Sequence, residues 1–319
     1  MFVIPSEVEE SLDAMASKAE LVVEDRKIPV SNLDKVLYPK VGFTKGQVID
    51  YYIRVAPVLL PHLKDRPLTM KRYPDGVGGE FFYEKNCPDH RPKWVQTARV
   101  WSESNDRFMN YCLVQDLPTL VWAANLADLE LHTSLSRKNK IERPTMMVFD
   151  LDPGPPANIV QCCQVGLWLR DLLGQMKVKS FAKTSGSKGL QVYVPLNTAV
   201  TYDQTKNLSL ALAQYLEHEH ADLVTSNMSK AVRKAKVFVD WSQNDEHKTT
   251  ICVYSLRARE EPTVSTPVTW NEVENCLKKK KADLLRFRSD QVLPRVEKRG
   301  DLFESVKEMQ QKLPKKWKV

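Results

Sequence analysis

The chain has 319 residues, 42 % of them hydrophobic, with 47 Lys or Arg against 40 Asp or Glu and a formal net charge of +7; this supports one large or two ordinary domains and excludes a disordered or fibrous chain. Residues 278–319 hold fourteen Lys or Arg against six Asp or Glu. That tail accounts for the whole excess, so a polyanionic partner has to be gripped by local patches and not by bulk charge.

No apolar run approaches the roughly 20 residues that cross a bilayer, and "MFVIPSEVEE" turns acidic where a signal peptide would stay apolar. The expectation is a cytoplasmic protein with no membrane role. The six cysteines form no repeated C-x-x-C pair, and a chain this long folds without disulfide staples, so they read as reduced thiols. "CPDH", Cys87 to His90, has half the spacing of a zinc site and no second half nearby.

In chain order, residues 1–23 read as a polar, partly helical lead-in. "NLDKVLYPKVGFTKGQVIDYYIRVAPVLLPHL" then reads as a turn and an amphipathic helix, with Thr44 placed to cap it. "RPLTMKRYP" and "FFYEKN" read as short strands around the Gly-rich turn "DGVGGE". "LPTLVWAANLADLELH" has the apolar spacing of a buried helix, closed by His132 and Arg137. Four strands are predicted at 145–152, 190–196, 235–241 and 249–255, with helical stretches at 158–176 and 203–221. Strands alternating with helices and then a hairpin predict an α+β fold on one mixed sheet, with the 24–132 region packed beside it.

Chemistry gathers at the strand ends. In "MMVFDLDPGP" the side chains of Asp150 and Asp152 share one face of a strand while Phe149 and Leu151 take the other. Two like charges held together call for a cationic or hydrogen-bonding neighbour, and a divalent metal is the most economical one. Asp240 ends the apolar run "VFVD", and three carboxylates suffice for a pair of Mg²⁺ or Mn²⁺ ions in a phosphoryl transfer. D-x-D before Pro-Gly is also an ordinary strand exit. The loop "KTSGSKGLQ" offers backbone N–H groups around Gly186 and Gly189, the Ser185 hydroxyl and the Lys188 ammonium. It is a phosphate cradle without P-loop spacing, although Ser-Gly turns between strands are common. Arg233, Arg257, Arg259, His132 and Arg137 recur near these acids, and a nucleotidyl transfer needs both acids for metal and cations for phosphate.

"VFDLDPG", "KTSGSKGL", "VFVDWSQN" and "YSLRAR", in that order, resemble the polymerase domain of bacterial DNA ligase D and its stand-alone archaeal relatives, within the archaeo-eukaryotic primase superfamily. "SNLDKVLYP", "TKGQVIDYY", "RPLTMKRYPDG", "FFYEKN" and "LADLELH" extend the resemblance over roughly residues 24–312. It implies an α+β primase-polymerase fold with a mixed or antiparallel sheet and flanking helices: an N-terminal α/β module at about 24–140, a catalytic core at about 141–312 and a basic tail at 313–319.

The resemblance further implies a polymerase of non-homologous end joining that fills gaps and extends 3′ ends at double-strand breaks, favouring ribonucleotides and Mn²⁺, in a prokaryotic, nucleoid-associated setting. Asp150, Asp152 and Asp240 would hold two Mn²⁺ or Mg²⁺ ions. Ser185, Lys188, Arg233, Gln243 and Arg257 would bind the incoming NTP or dNTP, with His132 near its sugar or phosphates. Asn32, Lys35 and Lys45 would take the 5′-phosphate downstream of a break. Lys71, Arg72, Phe82 and Tyr83 form a basic and aromatic cluster suited to template contact, though the aromatics read equally well as core. Ku and a separate DNA ligase are the partners the family implies.

There are two departures from the family pattern. Gln191 stands where many relatives carry a histidine, and Cys252 and Val253 stand where a proline is common. "YPDG" at 73–76 has Tyr where a ligase would have its nucleophilic Lys, so sealing falls to another polypeptide, and with the initial Met this favours a stand-alone chain. The competing expectations are a primase that starts chains de novo, a catalytically silent end-binding module, and a metal-dependent nuclease using the same acids.

Overall fold

The computed structural model describes residues 19–314. Two six-stranded sheets organise it. The first runs in the order Thr249–Ile251, Asp128–Ser134, Leu68–Arg72, Arg107–Cys112, Thr97–Ser102, with Phe82–Glu84 also paired to Leu68–Arg72. The second runs Val224–Thr225, Val237–Asp240, Met146–Pro153, Leu190–Pro195, Phe181–Thr184, Pro267–Val268. Only the first pair of the second sheet is parallel, so that sheet is mixed, as expected.

Alternation along Met146–Pro153 gives the second sheet two different faces. Met147, Phe149 and Leu151 are buried in a core with the helices Ile159–Gln175, Tyr202–Glu219 and Trp270–Lys279. Met146 and Val148 point the other way, into the core formed by the first sheet and the helices Lys45–Leu63 and Leu117–Asn125. Asp150 and Asp152 continue that second stripe, so they emerge where the two sheets face each other and the apolar filling ends.

Local signals start the helices. Thr44 caps Lys45–Leu63 in a reciprocal capping box with Gln47, and Asn158 with Gln161, Thr201 with Gln204, and Thr269 with Glu272 repeat the device. Each box satisfies backbone N–H groups that the first turn would leave unpaired.

Several expectations need correction. Residues 1–18 of the expected lead-in lie outside the described residues, but Ala19–Val23 is a strand paired with Arg26–Val30. The buried helix stops at Asn125, Ala127 takes a left-handed conformation (φ 57°), and Asp128–Ser134 is a strand. His132 therefore sits on a strand. The apolar run Leu117–Asn125 before it masks the boundary, whereas Asp128 to His132 alternates polar and apolar residues with the period of a strand. The 249–255 strand ends at Ile251, after which Tyr254 (φ 65°) turns the chain into the hairpin Leu256–Ala258 and Pro262–Val264. Thr249–Ile251 joins the first sheet, so that sheet is not completed within 24–140.

The thiols also differ from expectation. Cys87 and Cys112 are disulfide-bonded, while Cys162, Cys163, Cys252 and Cys276 are free and buried. The backbone N–H of Cys87 donates to the Asn110 carbonyl at 2.6 Å, drawing the chain after Phe82–Glu84 against the Arg107–Cys112 strand. That juxtaposition is tertiary and leaves no trace in the cysteine spacing. Leu313, the first residue of the expected tail, packs on the second core, and residues 315–319 lie outside the described region.

Candidate active site

A cleft of about 440 Å³ opens between the sheets, lined among others by Asp150, Gln191, Gln243 and Thr250, with His132, Tyr83 and Arg257 opposite. Asp150 and Gln191 on its wall belong to a row of direct cross-strand partners on the second sheet: Asp240 opposite Asp150, Asp150 opposite Gln191, Gln191 opposite Lys183. Asp152 lies one pleat beyond Asp150, opposite Phe238. The sheet thus brings all three predicted acids to one edge.

Burial pushes the Asp150 carboxyl up to about 6, and the neighbouring charge of Asp240 and then Asp152 add to that, against a hydrogen bond with Gln191 and the charge of Lys183. A site that penalises its own negative charge is one that a cation relieves. Part of the relief comes from side chains. Lys188 Nζ stands 3.2 Å and Arg233 Nη1 3.5 Å from the Asp152 carboxylate. Asp240 accepts from the Ser242 backbone N–H at 2.9 Å, the Ser242 hydroxyl at 2.6 Å and Gln243 Nε2 at 2.9 Å.

Among the described residues no three His, Cys, Asp or Glu side chains are arranged to hold a metal ion, because Asp152 and Asp240 are turned to these partners. Their chemistry nonetheless fits hard divalent cations: carboxylate oxygens from adjacent strands around a destabilised Asp150 charge.

The phosphate loop is locked differently from the expected cradle. Ser185 Oγ accepts from the Ser187 and Gly189 backbone N–H groups at 3.2 and 3.1 Å, so those donors are already used, and Gly189 is buried. Gly186 adopts φ +69°, in contact with Arg257 and Val264, where a side chain has no room. The 256–264 hairpin holds the loop from behind. Arg257 Nη1 donates to the Ser185 carbonyl at 2.8 Å, and the Thr263 hydroxyl donates to the Gly186 carbonyl at 2.6 Å. Lys188 remains exposed at the cleft edge, and Arg233 Nε and Arg257 Nε are buried without a hydrogen-bond acceptor. Of these cations Lys188 is the exposed one, while Arg257 Nε faces Glu130 at 3.1 Å and Arg233 Nη1 faces Asp152 at 3.5 Å.

Lys45 is buried, donates to the Ser31 carbonyl at 2.6 Å, and caps the turn that begins at Asn32. Burial, then the charges of Lys35 and Arg72, pull its ammonium down to about 8. The structure therefore gathers Lys35, Lys45 and Arg72, which the sequence separates, into one cationic patch. Lys35 there pairs with Asp75 at 2.7 Å, and Asn32 is exposed at φ 54°.

The basic and aromatic cluster is assembled by register: Lys71 opposes Tyr83 and Arg72 opposes Phe82. Lys71 Nζ lies 4.2 Å from the Phe81 ring centroid and 5.3 Å from those of Tyr83 and Tyr73. Arg72 lies 5.1 Å from the Phe82 ring and pairs with Glu84 at 2.7 Å. Phe81, Phe82 and Tyr83 are 51 %, 44 % and 56 % exposed, which decides between core and contact surface in favour of the surface.

Residues 44–303 match the family described as LigD, primase-polymerase domain. The chain belongs to the LigD primase-polymerase domain family. The multifunctional non-homologous end joining protein LigD of Mycolicibacterium smegmatis is 39 % identical over 279 residues, 87 % of this chain and 36 % of that protein. LigD of Mycobacterium tuberculosis H37Rv is 40 % identical over 292 residues, 88 % of this chain and 37 % of that protein. The bifunctional LigD of Bacillus subtilis is 35 % identical over 278 residues, 87 % and 44 % respectively. The chain thus spans well under half the length of these relatives. Among solved structures, the polymerase domain of M. tuberculosis ligase D in complex with DNA superposes with a TM-score of 0.81 at 39 % identity, covering 88 % of this chain and 98 % of that one. The α+β primase-polymerase fold expected of a LigD polymerase domain is the one observed.

Two site residues escaped the sequence. Lys183 is fully buried, donates to Gln191 Oε1 at 2.5 Å and to the Ser265 hydroxyl at 2.6 Å, and burial pulls it down to about 7. Gln191 spends its carbonyl oxygen on that lysine. Glu130, inside "LADLELH", is 2 % exposed yet contacts His132, Lys71 and Arg257. Only the quoted motif around it marked the segment, because a charge inside an apolar run has no meaning until its partners are placed.

Proposed function

We propose that this LigD-family primase-polymerase chain is a template-dependent nucleotidyltransferase of double-strand break repair, adding nucleotides to a 3′ end in a gap bounded by a 5′-phosphate. The observation that carries the reading is the pairing of Asp150, which lines the cleft with Arg257, with Asp240 on the adjacent strand, while Lys188 and Arg233 stand on the neighbouring Asp152.

Asp150, Asp152 and Asp240 would hold two divalent cations, Mn²⁺ or Mg²⁺. Bound there, such ions supply Lewis-acid activation of an attacking 3′-hydroxyl and neutralisation of the leaving pyrophosphate. The chain's own groups do the rest. Lys188 and Arg233, now on Asp152, are free to turn to triphosphate oxygens once the acids are neutralised. Arg257, anchored on the Ser185 carbonyl, offers its remaining donors, and His132 borders the sugar side. Gln243 holds Asp240 at 2.9 Å and acts through it.

The cationic patch of Lys35, Lys45 and Arg72 supports recognition of a downstream 5′-phosphate, with Asn32 at its rim. Phe82 and Tyr83, backed by Lys71, support stacking on template bases. Preference for ribonucleotides, and a working partnership with Ku and a separate DNA ligase, belong to the same reading and rest on family likeness.

Primer extension on a short gapped duplex with Mn²⁺ tests it, comparing downstream 5′-phosphate with 5′-hydroxyl and ribo- with deoxynucleotides. Extension stimulated by the 5′-phosphate is expected. DNA binding without nucleotide addition would make the chain an end-binding module, and strand cleavage without triphosphate dependence a nuclease.

A further inference from the structure

Glu130 lies on the Asp128–Ser134 strand with its side chain 2 % exposed. Its Oε1 accepts from the Ala258 backbone N–H at 3.0 Å and stands 3.1 Å from Arg257 Nε, outside hydrogen-bond alignment. Its Oε2 is 3.0 Å from His132 Nε2 and 3.5 Å from Lys71 Nζ. One buried carboxylate is thus shared by three cationic or ionisable side chains from three strands. Burial alone would push this carboxyl up. The His132 hydrogen bond and the charges of Arg257, His132 and Lys71 outweigh it and hold the carboxyl well below its usual range.

These three partners serve two adjoining regions that share Tyr83. His132 and Arg257 line the cleft beside Asp150, whereas Lys71 sits among the exposed rings of Phe81 and Tyr83. We propose that Glu130 is a positioning residue that holds His132, Arg257 and Lys71 as one unit, so that the nucleotide pocket and the template platform are set by a single buried charge. This deepens the polymerase reading and rests on it for its kinetic readout.

Two consequences follow from the geometry. A carboxylate acceptor fixes the His132 proton on Nε2, leaving Nδ1 as the acceptor nitrogen. Arg257 is held at both ends, by Glu130 at Nε and by the Ser185 carbonyl at Nη1, which aims it along the phosphate loop. Without the Glu130 charge, Arg257 and Lys71 repel one another inside a shared low-dielectric space, and His132 loses the acceptor that fixes its tautomer.

Glu130→Gln keeps the volume and an acceptor for Ala258 while removing the charge. The expected result is a rise of tenfold or more in nucleotide KM, with kcat changed much less, and retained cooperative melting. Glu130→Asp, which keeps the charge one methylene short, falls between the two and still reports if the Gln variant fails to fold.

The second readout does not depend on polymerisation: the His132 imidazole, followed by NMR in the whole chain and assigned with His132→Gln, titrates at lower pH in Glu130→Gln than in the wild type. The groups facing it are Glu130, Arg257, Lys71 and the Tyr83 ring; of these only the Glu130 charge favours the imidazolium. Unchanged nucleotide KM together with unchanged His132 titration, or loss of thermal stability alone, would overturn the proposal. If the wild type adds no nucleotide, the polymerase reading falls while the titration still decides whether Glu130 holds His132.

Discussion

Asp150 and Asp240 are direct cross-strand partners in neighbouring antiparallel strands of the second sheet. Like charges placed directly opposite destabilise a ladder, and Asp150 is the member driven up, to about 6. The pair is an arrangement that a fold keeps only for what it binds. Asp150→Asn is therefore expected to lower nucleotide addition about a thousandfold, the several kcal/mol that metal stabilisation of a transition state provides. Its melting temperature without metal stays equal to or above that of the wild type. A primer-extension rate and a melting curve measured side by side check both halves, and a variant that is inactive only because it is unfolded would show in the second.

The phosphate loop depends on backbone closeness. A Cβ at Gly189 would drive into the Leu151 carbonyl oxygen on the catalytic strand, a backbone atom unable to step aside. Gly189→Ala is expected to cost on the order of 1–3 kcal/mol and to raise nucleotide KM by displacing Lys188. Gly174→Ala is the opposite case: it lies in the Ile159–Gln175 helix with nothing within 4 Å of its Cβ, and gains roughly 0.5–1 kcal/mol. Denaturant unfolding of the two variants separates the signs.

Lys45 makes the 5′-phosphate response sensitive to pH. Its ammonium, pulled down to about 8 by burial and by Lys35 and Arg72, is protonated below that value and loses its charge above it. Stimulation of gap filling by a 5′-phosphate over a 5′-hydroxyl is thus expected to be full near pH 7 and to decline between about 7.5 and 9 as the free site deprotonates. Lys45→Met should show little stimulation and a flat profile. Because its folded value lies below that of an unfolded lysine, the same group withholds stability below pH 8 and restores it as the pH rises toward the unfolded value. Lys45→Met is accordingly no less stable at pH 7 than the wild type.

Glu272 is expected to supply one resolvable part of the acid stability. Burial raises its carboxyl, but Arg295, donating from both Nη atoms at 2.7 and 2.8 Å, and the Thr269 backbone N–H outweigh that and bring it to about 2. A carboxyl depressed on folding contributes stability that is fully present above its unfolded value near 4.5 and is lost as pH falls toward about 2. At this partly exposed position screening reduces the contribution to roughly 1–2 kcal/mol. Glu272→Gln should lose that amount at pH 7 and show a shallower decline between pH 5 and 2 in urea titrations. An unchanged acid limb would place the dependence elsewhere.

The local signals were legible. Thr44 as a helix cap, Asp150 and Asp152 on one strand face with Phe149 and Leu151 on the other, and the short strands flanking "DGVGGE" need only neighbours within a few residues, because alternation and capping are properties of the backbone itself. The family motifs likewise named the acids and the phosphate loop from contiguous stretches. Where the sequence misled, a strand followed directly on a buried apolar helix and its own alternation was absorbed into the helix. "LADLELH" reads as helix until Thr249–Ile251 and Leu68–Arg72 are seen to flank it as a strand.

What residue types and spacing determined by themselves was therefore which segments carry chemistry and how each is locally shaped. Tertiary structure alone decided that Asp240 stands opposite Asp150, that Lys45 feels the charge of Arg72, that Cys87 bonds to Cys112, and that Glu130 draws His132, Lys71 and Arg257 together. Strand register and burial set those distances. Interaction between charges depends on separation and on the exclusion of water, neither of which is defined until distant parts of the chain have packed.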